Sequence, residues 1–361
     1  MTRVDFYNGS ECLCEIGIQG DSTDRTQAVT AVTPEITLAY IQSLRITPQE
    51  NITAIKPINS GNGMNVTKFI KGMHQTDVEM SFWLPKDLDQ TTPMEVWLLK
   101  MAFDGTDSVS ESTQDTYTVP DSADEYGDDY LKVMTIEAGY NKSGSVTAHK
   151  VTGACVQRAN FHWEKTLPFV ATYSMNALKG EKITSFTAGT LTEASEEPFT
   201  WGDTLFAYGD AGSSATQNNI NMVDLNIEYV LDMVADMANA TSSRTGLGWK
   251  VNKRNVTGQI QLDLTTETDN GQDLWEDYYN DATGTASPTE GVQLKDLFIT
   301  MYQSASYNIV IQLHNLVITN IPDELTGEGV PSITLDFNAQ NAVLIFKVLG
   351  TSSAPTNWSE V

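Results

Sequence analysis

The sequence predicts an all-β fold with a minor helical part, built from two tandem domains. Three observations carry that expectation. Apolar residues recur at every second position in one segment after another, only two segments hold a convincing helical pattern, and motifs of the first half return in the same order in the second.

The elements follow in order. Cys12, Cys14, Ile16 and Ile18 alternate, which predicts a strand within an N-terminal arm over residues 1–39. Cys12 and Cys14 share one face of that strand. With Cys155 they make an odd number of cysteines, which does not suggest a disulfide framework. We read them as small apolar core residues rather than as half of a metal site or a redox pair. Val78, Met80, Phe82 and Leu84 alternate in the first domain, residues 40–182, after the turn chemistry of Gly61-Asn62-Gly63.

Residues 93–103 predict a helix. Thr92 is placed to cap it, and Pro93 suits its first position. Residues 94–103 hold eight apolar side chains in ten, more than the single stripe a helix needs to lie on a sheet. The helix is therefore expected to pack on its own sheet and also against a neighbouring domain or subunit, with Val96, Leu98, Leu99 and Met101 as an assembly interface. The acidic run holding Asp121, Asp124, Glu125, Asp128 and Asp129 lacks the twelve-residue calcium-loop pattern and reads as a solvated loop.

A linker and bridging strand, FTWGDTLFAY, are expected over residues 183–221. The second domain covers 222–350. Within it LDMVADMANA (231–240) has helical spacing, but the repeat would make it loop or strand. Ile260, Leu262 and Leu264 alternate, residues 271–282 predict an amphipathic helix, and Ile309, Ile311 and Leu313 alternate again. Residues 351–361 are a C-terminal tail.

The repeat is specific. Phe69, Met80, Phe82 and Leu84 match Trp249, Ile260, Leu262 and Leu264 at one common spacing. Glu95-Val96-Trp97 matches Asp273-Leu274-Trp275. Thr172-Tyr-Ser-Met-Asn-Ala177 matches Thr334-Leu-Asp-Phe-Asn-Ala339, and Leu44-Arg45-Ile46 matches Leu225-Asn226-Ile227. Two large repeated units mean duplicated domains rather than a solenoid.

The net charge is −26, which disfavours a DNA-gripping protein, because such affinity comes from Lys and Arg displacing counterions. No run of apolar residues is long enough to cross a membrane as a helix. The chain has no nucleophile elbow, P-loop, His-Glu-x-x-His or paired Cys-x-x-Cys, and its four histidines are scattered. We expect no enzyme and no cofactor or metal. A competing reading is an extracellular β-sandwich binding module, of carbohydrate or surface-layer type, with Trp163, Trp201 and Trp358 as platform aromatics.

The order of a strand pair, the alternating strand DVEMSFWL, the apolar helix PMEVWLLKMAF, a long polar loop, a hairpin and a strand ending in TYSMNA resembles the tube domain of tailed bacteriophages and related archaeal viruses. VTGACVQRANFHWE is similar to the strand that opens the second half of such domains, and EPFTWGDTLFAYGD and Asn226-Ile227-Glu228 resemble the tail tube family with two tandem domains. A long acidic insertion at 104–130 departs from that pattern. The resemblance implies β-sandwich or half-barrel domains, each with one flanking helix. It also implies a virion tail subunit, assembled in the host cytoplasm, whose strands join those of its neighbours around a lumen. Three chains would supply six domains, giving stacked trimeric rings with pseudo-sixfold symmetry. These rings would contact other tail proteins and let viral DNA pass without binding it. No membrane is implied.

Overall fold

The computed structural model describes residues 12–21, 30–34, 36–38, 40–55, 68–86, 94–103, 115–118, 131–142, 145–187, 197–210, 215–216, 220–234, 246, 248–263, 294–303, 307–320 and 332–348. The first half holds strands β1 (Cys12–Asp21), β2 (Ile36–Thr37), β3 (Ile41–Ile55), β4 (Lys68–Trp83), β5 (Asp115–Thr118), β6 (Lys132–Lys142), β7 (Ser145–Glu164), β8 (Val170–Ala177) and β9 (Lys179–Ile183), with helix α1 (Met94–Ala102) after β4. The second half holds β10 (Thr204–Asp210), β11 (Ala215–Thr216), β12 (Ile220–Val234), β13 (Gly248–Asp263), β14 (Lys295–Tyr302), β15 (Tyr307–Asn320) and β16 (Ser332–Val348). The strands pair antiparallel in one continuous sheet that curls into a half-barrel. The expected all-β class with a minor helix is thus the class observed. The helix expected at 271–282 lies outside the described residues, and Leu231–Val234, whose state was open, ends strand β12.

One strand order occurs twice. It runs β2-β1-β6-β7-β8-β4-β3 in the first half and β11-β10-β14-β15-β16-β13-β12 in the second. The register repeats with it. Met80 faces Tyr173 as Ile260 faces Leu335. Ile41 faces Phe82 as Ile220 faces Leu262. Cys14 faces Ala138 as Phe206 faces Ile299. Register is set by which face is buried, so a repeated apolar pattern folds into a repeated register. The irregularities repeat too. A bulge between Met134 and Ile136 matches one between Lys295 and Leu297. The extra residue of each bulge is on β7 and β15, and the bulged pairs contain Gly153 at φ 67° and Asn315 at φ 53°. Only glycine takes that left-handed conformation freely, and asparagine is among the few residues that tolerate it.

Two expectations need adjusting. Leu44 pairs with Met80, and Ile260, the counterpart of Met80, pairs with Val223. Leu44 therefore corresponds to Val223, two residues from the Leu225 that the sequence match selects. A slip of two keeps the same face inward, so alternation alone does not detect it. Second, β1 and β10, expected as parts of an arm and of a bridge, hold equivalent places in the two arrays.

The arrays are joined directly. β7 continues past β6, pairing with β8 along Cys155–His162 and with β12 along Arg158–Glu164. Strand β5, which lies inside the acidic insertion, pairs with β16 of the second array. Buried apolar side chains from both arrays form one cluster. Its first-array part is aromatic: Trp163 stacks on Phe169 at 4.6 Å and Phe82 on Tyr173 at 5.5 Å, in the offset geometries ring quadrupoles favour.

Candidate assembly surface

Alternation puts Met80, Tyr173, Ala159 and Ile227 on the buried face of β4, β8, β7 and β12. The residues between them make the opposite face, and they are polar across seven strands. One row of directly opposed residues runs Ser43, Ser81, Thr172, Asn160, Asn226, Thr257, Asn338 from β3 to β16. Every member is small and uncharged. Beside it runs Arg45, Glu79, Ser174, Arg158, Glu228, Asn255, in which Arg45 pairs with Glu79 at 3.4 Å and Arg158 with Glu228 at 2.6 Å. On the other side His162, Asp224, Gln259 and Asp336 follow one another. Gln259 donates to Asp336 at 2.7 Å, and His162 Nδ1 lies 2.7 Å from Asp224. The cationic groups of these rows are thus neutralised by carboxylates on the adjoining strand.

The β7–β12 junction crosses the middle of this face. Besides the Arg158–Glu228 pair it holds His162, whose pKa is raised, first by its hydrogen bond with Asp224 and then by the charge of the carboxylates beside it, against the lowering effect of burial. Exposed pairs of this kind contribute little each, so the junction depends mainly on its backbone ladder and on the buried residues behind it.

One long strand, β3, lacks a neighbour on one side among the described residues. β3 pairs with β4 alone, so its outer edge carries no ladder among the described residues. Its counterpart β12 has β13 on one side and β7 on the other. The difference reaches the side chains: Leu44 and Ile46 are half-buried, while their counterparts Val223 and Leu225 are fully buried. An open edge of this length is a template for another strand.

A second feature of the first array is absent from the second. Glu15, Glu137 and Lys150 stand in one row across β1, β6 and β7. Both carboxylates are buried. Lys150 lies 2.9 Å from Glu137, which also accepts from the Thr187 amide at 2.6 Å and the Thr187 hydroxyl at 2.8 Å. These bonds, with the Lys150 charge, outweigh desolvation and lower the Glu137 pKa. Burial, and then the Glu137 charge, raise that of Glu15 to about 7. Ala207 and Phe298 fill the equivalent places of Glu15 and Glu137 in the second array.

The expected site residues fall as follows. Leu98, Leu99 and Met101 are buried within the single chain, at 1%, 1% and 3% exposure. They lie in the core of the chain itself. The physical reason is that both arrays already cover α1: Phe103 stacks on Phe161 of β7 at 6.0 Å, and Tyr229 of β12 donates to the Ala102 carbonyl at 3.0 Å. The side chain of Val96 lies outside the described residues, as do Asp121, Asp124, Glu125, Asp128 and Asp129. Of the platform aromatics, Trp163 is buried, Trp201 packs on Phe206 at 4.7 Å, and Trp358 is not described. Cys14 and Cys155 are buried among apolar core residues, and no cluster of metal-ligating side chains occurs among the described residues. The polar row and the open β3 edge escaped the sequence reading. Alternation marks which residues face outward but not which strands lie side by side.

No protein-family model matches this chain, and no curated protein matches it.

Proposed function

We propose that this chain is a structural tube subunit, with two tandem tube-type domains that assemble head to tail into stacked rings around a conduit for viral DNA. The observation that carries the reading is the repeated register together with the β7–β12 junction. One chain contains a complete domain-to-domain junction, made by the first strand of the second array's β12–β13 hairpin against β7 of the first. The matching strand of the first array, β3, keeps an open edge. A junction of this heterologous kind, repeated between chains, propagates until a rotation closes it into a ring. The two tandem domains here are the arrays 12–183 and 204–348.

The polar face supports a conduit. A row of small neutral side chains flanked by carboxylate-neutralised cations offers DNA phosphates no counterion-releasing contacts. The ring number rests on the family resemblance: six domains around a lumen require three duplicated chains.

Native mass spectrometry and negative-stain microscopy of concentrated protein test this. Rings or hollow rods whose unit contains three chains are expected. Six chains per ring would refute the role of the duplication, and a persistent monomer would refute the tube.

A further inference from the structure

The second array's hairpin, β12–β13, does more than pair with β7. Near its end Trp249 lies across onto the first array, 2% exposed, with its indole Nε1 donating to the Gly153 carbonyl at 2.8 Å. Gly246 beside it approaches Leu178 so closely that a Cβ there would stand 2.9 Å from that side chain. The receiving feature is the left-handed residue within the β6–β7 bulge. A bulge turns its carbonyl and its neighbours out of the ladder, which leaves an acceptor and a dent for an aromatic side chain.

The chain carries both halves of the same device a second time, unjoined: one in the first array and one in the second. By register, the counterpart of Trp249 is Phe69. Met80 and Ile260 are equivalent, and Phe69 and Trp249 stand the same distance before them on β4 and β13. Phe69 is 69% exposed, the most exposed of the large apolar side chains among the described residues. The counterpart of Gly153 is Asn315 of β15, in the second array, with the same sign of φ and within the equivalent bulge. Within one chain these two cannot meet as Trp249 and Gly153 do, because β3 and β4 border no second array across the open β3 edge.

We propose that Phe69 docks on the Asn315 bulge of a second molecule of this chain, repeating between subunits the contact that Trp249 makes with Gly153 inside one. This rests on the head-to-tail assembly proposed above and names its anchor. The occupant is a second copy because the receiving geometry, a left-handed residue within a bulge in this strand order, occurs in the second array of the same chain. Phe69 carries no ring donor, so the contact between subunits lacks the indole hydrogen bond and is held by apolar burial. An aromatic anchor entering a dent at the centre of a contact is the residue type that dominates interface energies.

Two variants test it in the full chain. Phe69 replaced by p-benzoyl-phenylalanine keeps an aromatic side chain and captures whatever it touches on irradiation. The expected product is a covalent dimer or higher ladder whose cross-linked peptide contains Asn315. Phe69→Asp places a charge on an exposed side chain, so the monomer's melting temperature should stay within about a degree of wild type, as exposed substitutions generally leave stability little changed. The concentration needed for assembly should rise about tenfold or more. If rings or rods form and the cross-link maps elsewhere, or Phe69→Asp assembles like wild type, the Phe69 contact is wrong while the tube reading stands. If cross-linked chains containing the Asn315 peptide form without rings or rods, the contact stands and the tube reading fails. A chain that remains monomeric and yields no intermolecular cross-link overturns both.

Discussion

Glu15 illustrates how a single buried group gives the molecule a pH dependence. Its carboxyl lies beneath the first array's outer cover, 1% exposed, with one oxygen lacking a hydrogen-bond partner, and its pKa is raised from 4.5 to about 7. A carboxyl raised on folding contributes stability that is fully present below its unfolded pKa and is lost as pH climbs through the folded value. The window is therefore about pH 4.5 to 7. Glu137 acts in the opposite sense: its pKa is lowered, so its contribution is present above the unfolded value and is lost as pH falls through the folded one. Glu15→Gln should remove the first dependence, leaving the variant more stable than wild type at pH 8 by up to about 3 kcal/mol. Thermal melts of both proteins from pH 5 to 8 check this. Parallel curves would show that Glu15 ionises normally.

The covering segments explain why the sequence offers no warning of this site. Gly17 on β1 passes so close to the 32–34 segment that a Cβ there would lie 2.8 Å from the Thr33 carbonyl oxygen. The Val32 amide donates to Thr135 at 3.0 Å, and Thr187 closes over Glu137. Alternation along β1 marks Glu15 as an outward, solvated residue. Two irregular segments far apart in sequence bury it.

At the scale of elements, the β7–β12 junction determines how the two arrays hold together. Its polar flank includes His162, hydrogen-bonded to Asp224 and 3.4 Å from Glu164. A histidine whose pKa is raised on folding adds stability that is complete below its unfolded value, 6.5, and is lost as pH rises through the higher folded value. Hydrogen exchange at residues 158–164 and 222–228 should therefore speed up as pH is raised from 6 to 8.5 by more than the intrinsic chemistry accounts for. His162→Gln should flatten that extra dependence. An unchanged profile in the variant would remove His162 from the junction's energetics. The side chain is partly exposed, so solvent screening keeps the effect small.

Helix α1 belongs to this scale as well. Its composition predicts cover on more than one side, and the cover comes from inside the chain, from β7 and from Tyr229 of β12. A sequence shows that a helix needs two apolar neighbours. It does not show whether the second neighbour is another molecule or a later part of the same chain.

For the whole molecule, the seven strands from β3 to β16 that carry the polar row present one apolar and one polar face, and assembly decides which surroundings the polar one meets. In the proposed tube the row Ser43, Ser81, Thr172, Asn160, Asn226, Thr257, Asn338 lines the bore. A density map of assembled rings checks it directly. That row on the outer wall, or a bore lined mainly by Lys and Arg, would refute the conduit as argued from charge.

The β class, the strands that carry alternation, helix α1 to within a residue at each end, and the repeated apolar pattern are all legible in residue order alone. All of these are periodic or local signals, written by the steric and solvation preferences of neighbouring residues. Met80 and Tyr173, matched in sequence to Ile260 and Leu335, pair across strands as Ile260 and Leu335 do. Only the tertiary structure decided that β1 and β10 are equivalent strands, that Leu44 answers to Val223, that Leu98 is core rather than interface, and that Glu15 and Phe69 are respectively hidden and bare. Each of these depends on which distant segment lies alongside. That is set by the summed burial of one continuous core and the pairing of strand edges, and a two-residue slip or a borrowed neighbour leaves no trace in local pattern.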